Sequence, residues 1–528
     1  MADLSSADHT VRPPIVRIPR MFNAAHDLIE RNLQAGRTAK IAYIDDAGSC
    51  TYAALAERID RSANALVQLG LRMEERVMLV HLDSTDWVAA FLGAIKAGIV
   101  PLATNTLFTT KDYEALLLES RAHAIIVSAE LLPVVAPAIK ASPFLRHVIV
   151  SGENGAAHLH WQTLLAAASP RAEPAATTCD DTAFWLFSSG STGTPKGTQH
   201  LHSSMIQTAE LYARTVLGMR ESDVVFSAAK LFFAYGLGNA LSFPLAIGAT
   251  TILMAERPTP QAVFARLRQY RPTVFFGVPT LFAGLLASNE LPGSDDIAVR
   301  VWVSAGEALP GEIGQRWKRH FGIDLLDGIG STEMLHIFIS NEPGQVRYGT
   351  SGKPVPGYRM RLVNDEGADA ALGEVADLYV NGPTAAAGYW NNREKSRATF
   401  QGEWVRSGDK YSRDADGYFT YAGRADDMMK VSGMYVSPFE VEGALLTHGA
   451  VLEAAVVGSE DDDKLIKPKA FIVLKAGNSA STALAGELQQ HVKGRLAPYK
   501  YPRWIEFVPE LPKTATGKIQ RFKLRGAR

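Results

Sequence analysis

Ten consecutive residues in the first half of the chain read Ser188-Ser189-Gly190-Ser191-Thr192-Gly193-Thr194-Pro195-Lys196-Gly197. They follow an apolar run, Phe184-Trp185-Leu186-Phe187, which predicts a buried strand. The glycines allow tight turns with exposed N–H groups, the hydroxyl side chains add donors, and Lys196 adds a positive charge. Such groups are typical of a loop that binds polyphosphate, although a solvated Gly/Ser linker is the alternative. The spacing differs from the Gly-x-x-x-x-Gly-Lys-Ser/Thr motif, and residues 200–205 predict the start of a helix after the loop.

Strand-like and helical segments alternate on both sides of this loop. Helices are predicted over residues 52–69, which end before Gly70, and over residues 260–270. Strands are predicted over residues 76–82, 124–128, 147–150, 224–227, 249–253, 273–277 and 301–304. This alternation predicts an α/β fold with a large N-terminal domain of two doubly wound βα blocks in tandem. Short strands between glycine turns over residues 345–420 add a small β-rich subdomain, and the last hundred residues predict a small mobile α+β C-terminal domain.

Composition excludes several classes of protein. With 528 residues the chain is too long for one compact domain. A net charge of −1 gives no general affinity for nucleic acid. The two cysteines, Cys50 and Cys179, have neither metal-ligand spacing nor a disulfide pattern, which favours a reducing compartment. No apolar run approaches the roughly 20 residues that span a bilayer, so we expect a cytoplasmic enzyme without a membrane span.

A second glycine-containing stretch, Asp327-Gly328-Ile329-Gly330-Ser331-Thr332-Glu333, ends with a hydroxyl beside a carboxylate. A hydroxyl can bind phosphate, and a carboxylate can hold Mg²⁺, which prefers oxygen ligands. A Ser/Thr followed by Glu is also common at the start of a helix. The stretch alone therefore does not decide between a nucleotide site and a helix cap.

Three further stretches each have a chemical and a plain structural interpretation. Residues 404–409 end in Asp409, which suits the two hydroxyls of a ribose but also suits a simple turn. Residues 421–433 combine charges of both signs with glycines, as an interdomain loop does. Residues 512–521 contain Lys518 directly after a glycine, and a basic tail is the alternative there.

Together and in this order, these stretches resemble the adenylate-forming superfamily of acyl- and aryl-CoA synthetases, luciferases and adenylation domains of peptide synthetases. The resemblance covers nearly the whole chain and is most specific in residues 188–197 and 512–518. It implies an enzyme that activates a carboxylic acid with ATP and Mg²⁺ and releases diphosphate. The acyl adenylate is then attacked by a thiol, here that of CoA.

The resemblance also implies which residues bind ATP. The β- and γ-phosphates would be held by Ser188, Ser189, Gly190, Ser191, Thr192, Gly193, Thr194 and Lys196. Gly306, Glu307 and Asp327 would line the adenine with Gly328 and Ile329. Many members have an aromatic residue in place of Ile329. Asp409 and Arg424 would bind the ribose.

The implied catalytic residues are Thr332 on the α-phosphate, Glu333 on Mg²⁺, and Lys518 between the carboxylate and phosphate oxygens. Residues 1–425 would form the N-terminal domain with the acid and ATP sites, and residues 426–528 the mobile domain. Asp426 would be the hinge of a rotation that removes Lys518. The rotation would bring Val431, Ser432 and Gly433 to the thiol, because one site cannot be sealed for adenylation and open to CoA at once. The resemblance also allows a homodimer.

The candidate acid pocket is apolar and small, with one polar member. Residues 231–236 contain no acidic side chain for a substrate ammonium, which argues against an α-amino acid. The pocket candidates are Phe233, Ala234, Tyr235, Phe276, Ala305, Ile329, Gly330, Leu335 and His336. This set predicts a small aromatic carboxylic acid, although some of its aromatic residues are expected to be core packing. Residues 232–238, 328–336 and 431–438 resemble the ligases of this superfamily that act on benzoate.

Three alternatives remain at this point. A medium-chain fatty acyl-CoA synthetase would prefer hexanoate or octanoate. A stand-alone aryl adenylation enzyme would load a carrier protein and use free CoA poorly. A nucleotide-binding sensor without turnover requires a damaged motif, whereas Lys196, Thr332, Glu333, Asp409, Arg424 and Lys518 are all present.

Overall fold

The computed structural model of the chain describes residues 3–153, 157–188, 195–425, 427–431, 434–461, 465–513 and 519–525. Several candidate site residues lie outside the described ranges: Ser189, Gly190, Ser191, Thr192, Gly193, Thr194, Asp426, Ser432, Gly433 and Lys518.

The first large sheet contains the strand that leads into residues 188–197, the predicted phosphate-binding loop, called the phosphate loop below. Its order is Gly388–Tyr389, Lys196–Leu201, Thr182–Ser188, Val100–Ala103, Arg76–Val80, Ala124–Ser128, His147–Ser151 and Leu159–His160. Pairing is parallel from Thr182–Ser188 to the far edge. Ala124–Ser128 is buried at every position, as expected for a parallel strand that is covered on both faces.

The second large sheet has nine strands. Its order is Lys353–Pro354, Ile337–Ser340, Leu325–Gly330, Val301–Ser304, Val274–Gly277, Val224–Ser227, Thr250–Ile252, Ile41–Asp45 and Gly48–Thr51. The six strands from Leu325–Gly330 to Ile41–Asp45 are parallel to their neighbours. The doubly wound α/β prediction is confirmed.

The two sheets exchange strands along the chain, so they are not a simple tandem. The hairpin of Ile41–Asp45 and Gly48–Thr51 precedes the first sheet in sequence but pairs in the second. Conversely, Gly388–Tyr389 follows the second sheet in sequence but completes the first. The largest hydrophobic core joins side chains of both sheets, such as Phe184 and Val303.

The predicted helix start at residues 200–205 is wrong. Lys196–Leu201 is a strand that pairs antiparallel with Thr182–Ser188, and the helix begins only at Ser204. Burial alternates here, because His200 and His202 are buried whereas Leu201 between them is partly exposed. The phosphate loop therefore joins two paired strands rather than a strand and a helix.

Helices cover the sheets and are capped as their sequences indicate. Thr259 accepts a hydrogen bond from the N–H of Ala262 and Pro260 occupies the first turn, so the predicted helix Pro260–Tyr270 is confirmed. The other α-helices are Ala24–Gln34, Tyr52–Gln68, Thr85–Lys96, Thr110–Ser120, Leu132–Ile139, Trp161–Ala167, Ser204–Thr208, Ala234–Leu237, Phe243–Ile247, Pro279–Ala287, Gly311–Phe321, Arg393–Thr399, Pro438–Leu446, Thr482–Lys493 and Arg521–Arg525. Two π-helical segments, Ala209–Arg214 and Gly238–Ser242, interrupt this pattern.

A smaller antiparallel sheet follows the second large sheet in sequence, within the region predicted to be β-rich. It orders Arg359–Val363, Ala376–Asn381, Trp404–Arg413 and Phe400–Gln401, and Phe419–Arg424 also pairs with Trp404–Arg413. The C-terminal part contains Met429–Val431 paired with Met434–Val436, and a sheet of Val451–Glu460, Ile466–Leu474 and Trp504–Phe507. Its hydrophobic core is formed by residues such as Val441, Val456 and Ile472. A short N-terminal pair is formed by Ser6–Asp8 and Ile15–Arg17.

Among the residues that the structure describes, no helix has both the length and the apolar character needed to cross a membrane.

Candidate functional site

The predicted adenine and acid-pocket residues lie at or beyond one edge of the second large sheet. The parallel strands Val224–Ser227, Val274–Gly277, Val301–Ser304 and Leu325–Gly330 end there. In open α/β sheets, ligands bind outside the carboxyl ends of the strands. The predicted adenine and acid-pocket residues lie in the last part of these four strands or in the segments that follow them, so strand topology alone brings them to one edge.

Asp327 is the most deeply buried of the predicted adenine residues that carry a charge. It is 6% exposed, and its Oδ1 atom has no hydrogen-bond partner among the residues that the structure describes. Burial raises the pKa of this carboxyl well above its usual range, although the N–H groups of Leu309 and Gly328 oppose the shift. Buried polar atoms are normally paired. The unpaired oxygen is therefore suited to the amino group of a base.

The predicted ribose pair lies on two neighbouring antiparallel strands. Asp409 stands opposite Arg424 in the register, and Nη1 of Arg424 lies 3.1 Å from Oδ1 of Asp409. The carboxylate beside it raises the pKa of Arg424. Gly408 has a φ of 77°, and a Cβ built there would lie 2.9 Å from Nη2 of Arg424. The glycine thus gives Arg424 room to reach Asp409.

The turn that contains Thr332 and Glu333 is held by a segment that the sequence did not single out. The N–H of Ala386 donates to the carbonyl oxygen of Glu333 at 2.8 Å. The hydroxyl of Thr384 donates to the carbonyl oxygen of Met334 at 2.7 Å. The Thr332 and Glu333 side chains therefore start from a fixed backbone, while both residues remain partly exposed.

Both described ends of the phosphate loop carry polar groups that suit a ligand. Oγ of Ser188 is buried without a hydrogen-bond partner among the described residues. Lys196 is partly buried, and burial lowers the pKa of its ammonium group while Glu333 opposes the shift. Its Nζ lies 5.2 Å from the ring centroid of Tyr389.

The nine predicted pocket residues line the same edge of the sheet. Leu335 has a φ of 67°, a conformation that strains a non-glycine residue by about 1–2 kcal/mol, and it turns the chain between Glu333 and His336. The partly exposed members are Phe233, Ala234, Tyr235, Ile329 and Gly330, and the buried members are Phe276, Ala305, Leu335 and His336. Phe276, Ala305 and Leu335 belong to the main hydrophobic core, and the partly exposed apolar side chains pack against it.

His336 is neutral and has a defined tautomer. Its Nε2 lies 3.2 Å from the carbonyl oxygen of Tyr235 and 3.1 Å from Oδ1 of Asn239. Both partners are acceptors, so Nε2 carries the proton and Nδ1 is the bare nitrogen. Burial lowers the pKa of His336 to about 3. Nδ1 has no hydrogen-bond partner among the described residues, so the polar member of this pocket is an uncharged acceptor.

Two neighbours of His336 that the sequence did not single out lie on the π-helical segments, and the ring of Phe243 lies beside it as well. Tyr212 belongs to Ala209–Arg214, and its ring centroid lies 5.5 Å from that of His336. Asn239 belongs to Gly238–Ser242 and is fully buried. A π-helical turn inserts a residue and re-aims the side chains beside it, often at functional sites. An apolar periodicity gives no signal for such an insertion.

The described residues fit a magnesium ion that is bound mainly through a substrate. Within the described ranges no group of three or more His, Cys, Asp or Glu side chains could hold a metal. Mg²⁺ is commonly bound through one or two carboxylates together with substrate phosphates. Glu333, whose carboxylate acts on the ammonium group of Lys196, would supply such a carboxylate.

The structure describes residues on either side of the predicted hinge and catalytic lysine. The N–H groups of Asp427 and Met428 donate to the carbonyl oxygen of Arg424 at 3.0 and 3.1 Å, and Val431 is buried. Lys513 and Ile519, which precede and follow Lys518 in the sequence, form an antiparallel bridge.

Comparison with known proteins matches residues 29–390 to the AMP-binding enzyme family and residues 440–518 to the AMP-binding enzyme C-terminal domain. The chain is 61% identical to benzoate–CoA ligase of Thauera aromatica over 100% of both chains. It is 51% identical to a 4-hydroxybenzoate–CoA/benzoate–CoA ligase of Rhodopseudomonas palustris over 96% of this chain and 94% of the relative. A crystal structure of a benzoate CoA ligase from Burkholderia xenovorans is 56% identical, with a TM-score of 0.91 over 96% of this chain and 100% of that chain.

Proposed function

The chain belongs to the family of AMP-binding enzymes, and from this premise we propose that it is a benzoate–CoA ligase. It converts benzoate, ATP and CoA to benzoyl-CoA, AMP and diphosphate. The relative at 61% identity over the full chain carries this proposal. The apolar candidate residues around neutral His336, beside the Thr332–Glu333 turn, fit it, because they suit a flat ring and the nine of them, all described, include no lysine or arginine for a second carboxylate.

In the first half-reaction a carboxylate oxygen of benzoate attacks the α-phosphorus of ATP. A P–O bond forms to the acid, and the bond to the β-phosphate oxygen breaks, so diphosphate leaves with that electron pair. Both reactants are anions, and donors around the α-phosphate must offset the charge that builds up. We assign this role to Thr332 and Lys518, while Lys196 and Ser188 hold the leaving phosphates. A magnesium ion held by Glu333 would neutralise phosphate charge.

In the second half-reaction the thiol of CoA loses its proton and attacks the acyl carbon of benzoyl-adenylate. The C–S bond forms, the bond to the AMP oxygen breaks, and AMP leaves. We propose that residues 426–528 rotate about Asp426 between the two steps. The hydrogen bonds from the N–H groups of Asp427 and Met428 to the carbonyl oxygen of Arg424 lie beside this position. We expect the rotation to break or lengthen them. Val431, Ser432 and Gly433 would then face the thiol.

An acid panel tests the substrate directly. Benzoate is expected to support the fastest exchange of labelled diphosphate into ATP, followed by AMP release on addition of CoA. Faster exchange with hexanoate or octanoate would replace this proposal with a medium-chain acyl-CoA synthetase. Exchange with benzoate but poor use of free CoA would indicate a carrier-loading enzyme. If none of the acids supports exchange, the chain would be a nucleotide-binding sensor.

Gly238→Ala tests whether His336 forms part of the acid site. A Cβ on Gly238 would lie 2.6 Å from Nε2 of His336 and 3.1 Å from Cζ of Phe243. Overpacking of this kind costs about 1–3 kcal/mol and must displace the imidazole. We expect KM for benzoate to rise roughly tenfold or more, since 1.4 kcal/mol is tenfold in an equilibrium constant, while KM for ATP stays unchanged.

Gly284→Ala is the matched control, because a Cβ at this exposed helical position meets nothing within 4 Å. Its kinetics are expected to equal those of the wild type. A Gly238→Ala enzyme with a normal KM for benzoate would contradict the role of His336.

Location in the cytoplasm and a homodimer stay predictions.

A further inference from the structure

Tyr389 contacts both Lys196 and Glu333, two residues that the proposed reaction requires. It belongs to the two-residue strand Gly388–Tyr389, which pairs with the strand that leaves the phosphate loop. Thr198 stands opposite Tyr389, and the N–H of Trp390 donates to the carbonyl oxygen of Gly197 at 2.8 Å. The backbone of Tyr389 is therefore fixed to the chain directly after Lys196.

The side chain of Tyr389 reaches the other motif. Its hydroxyl donates to Oε1 of Glu333 at 2.8 Å, across 56 residues of sequence. The same segment holds the main chain of Glu333 through the N–H of Ala386. One short stretch thus fixes both the backbone and the carboxylate of Glu333.

Contacts with neighbouring side chains also hold the ring of Tyr389 in place. It lies 5.3 Å from the ring of Phe400, and Nζ of Lys196 lies 5.2 Å from its centroid. Oγ of Ser396 accepts the N–H of Tyr389 at 3.0 Å.

When a fixed donor binds one oxygen of a carboxylate, the direction of the second oxygen is defined as well. Mg²⁺ demands nearly ideal octahedral geometry, so the direction of a carboxylate ligand affects its affinity. Groups that hydrogen-bond a metal ligand typically contribute 10–100-fold in metal affinity or activity. On the basis of the proposed function, we propose that Tyr389 is a positioning residue that presents Glu333 to the magnesium ion of MgATP.

Tyr389→Phe removes only the hydroxyl and keeps the ring against Phe400 and Lys196. We expect the affinity for Mn²⁺, used as a paramagnetic substitute for Mg²⁺, to fall about 10-fold or more in the presence of ATP. Electron paramagnetic resonance of free Mn²⁺ measures this without any acid or turnover. In the exchange assay, the Mg²⁺ concentration for half-maximal rate should rise by a similar factor, while KM for benzoate stays unchanged.

Two controls separate positioning from a general structural effect. Tyr113→Phe removes a hydroxyl that donates to Asn105 O at 2.9 Å elsewhere in the domain, and it should leave Mn²⁺ binding unchanged. In a Glu333→Gln background, adding Tyr389→Phe should have no further effect on Mn²⁺ binding. Unchanged Mn²⁺ binding in Tyr389→Phe, or an equal loss in both backgrounds, would overturn the inference. If no acid supports exchange in the wild type, the proposed function fails while the Mn²⁺ measurement still decides this point.

Discussion

Lys518→Ala is expected to slow benzoyl-adenylate formation by roughly 10²–10³-fold, the usual loss when one donor to a developing negative charge is removed. The family resemblance places this lysine between the carboxylate and phosphate oxygens, where two anions must approach each other. Transfer of the benzoyl group from supplied benzoyl-adenylate to CoA should change little. The proposed rotation would by then have removed the lysine from the site.

The two half-reactions are measured separately, as benzoate-dependent diphosphate release and as benzoyl-CoA formation from the adenylate. Lys513→Ala is the matched control. Lys513 lies five positions before Lys518 in the sequence, and its Nζ lies 2.7 Å from Oε1 of Glu453. It should keep both half-reactions. An equal loss of both half-reactions in Lys518→Ala would exclude the proposed division of labour.

Arg521→Ala is expected to destabilise the C-terminal domain by about 3–5 kcal/mol, because it leaves the charge of Glu442 buried without its partner. Nη2 of Arg521 lies 2.9 Å from both carboxylate oxygens of Glu442, and the two residues are only 9% and 5% exposed. Glu442 also accepts the N–H of Val456 at 2.7 Å. Arg521 therefore joins the last helix to the centre of this domain.

Hydrogen exchange with mass spectrometry locates the effect. Amide protection in Val451–Glu460 and Ile466–Leu474 should fall by roughly 10²-fold to 4 × 10³-fold, since 1.4 kcal/mol corresponds to tenfold. Lys523→Ala on the same helix is exposed and should leave protection unchanged. The double variant Glu442→Gln/Arg521→Met should recover most of the loss, because no buried charge remains and glutamine can still accept the N–H of Val456. Unchanged protection in Arg521→Ala would show that the pair contributes little.

Short-range signals made much of the fold predictable from the sequence. Val224–Ser227 and Val301–Ser304 are the strands that their apolar runs predict, and Pro260–Tyr270 has the bounds that its proline and Thr259 indicate. Residues 200–205 were assigned wrongly because a short mixed run of His, Leu, Ser and Met suits either element. Pairing with a distant strand decided the outcome.

In the candidate site too, residues in local motifs were predictable from the sequence, whereas residues that act through long-range contacts were not. Asp409 and Arg424 are predictable from their motifs, and in the structure Nη1 of Arg424 lies 3.1 Å from Oδ1 of Asp409. Tyr389 and Asn239 were missed, because their contacts with Glu333 and His336 cross 56 and 97 residues of sequence. No local pattern marks a residue whose role arises from a contact made only in the folded chain.

The exchange of strands between the two large sheets has a consequence for folding during synthesis. The hydroxyl of Thr250 donates to the carbonyl oxygen of Ile41 across 209 residues, and the first sheet lacks an edge strand until residues 388–389 emerge. Neither half of the N-terminal domain can therefore fold to completion on the ribosome while the other is absent. Long-range pairing of this kind slows folding and leaves strand edges unpaired for longer. Fragments cut between the two sheets should aggregate rather than fold separately, so the two apparent blocks act as one folding unit.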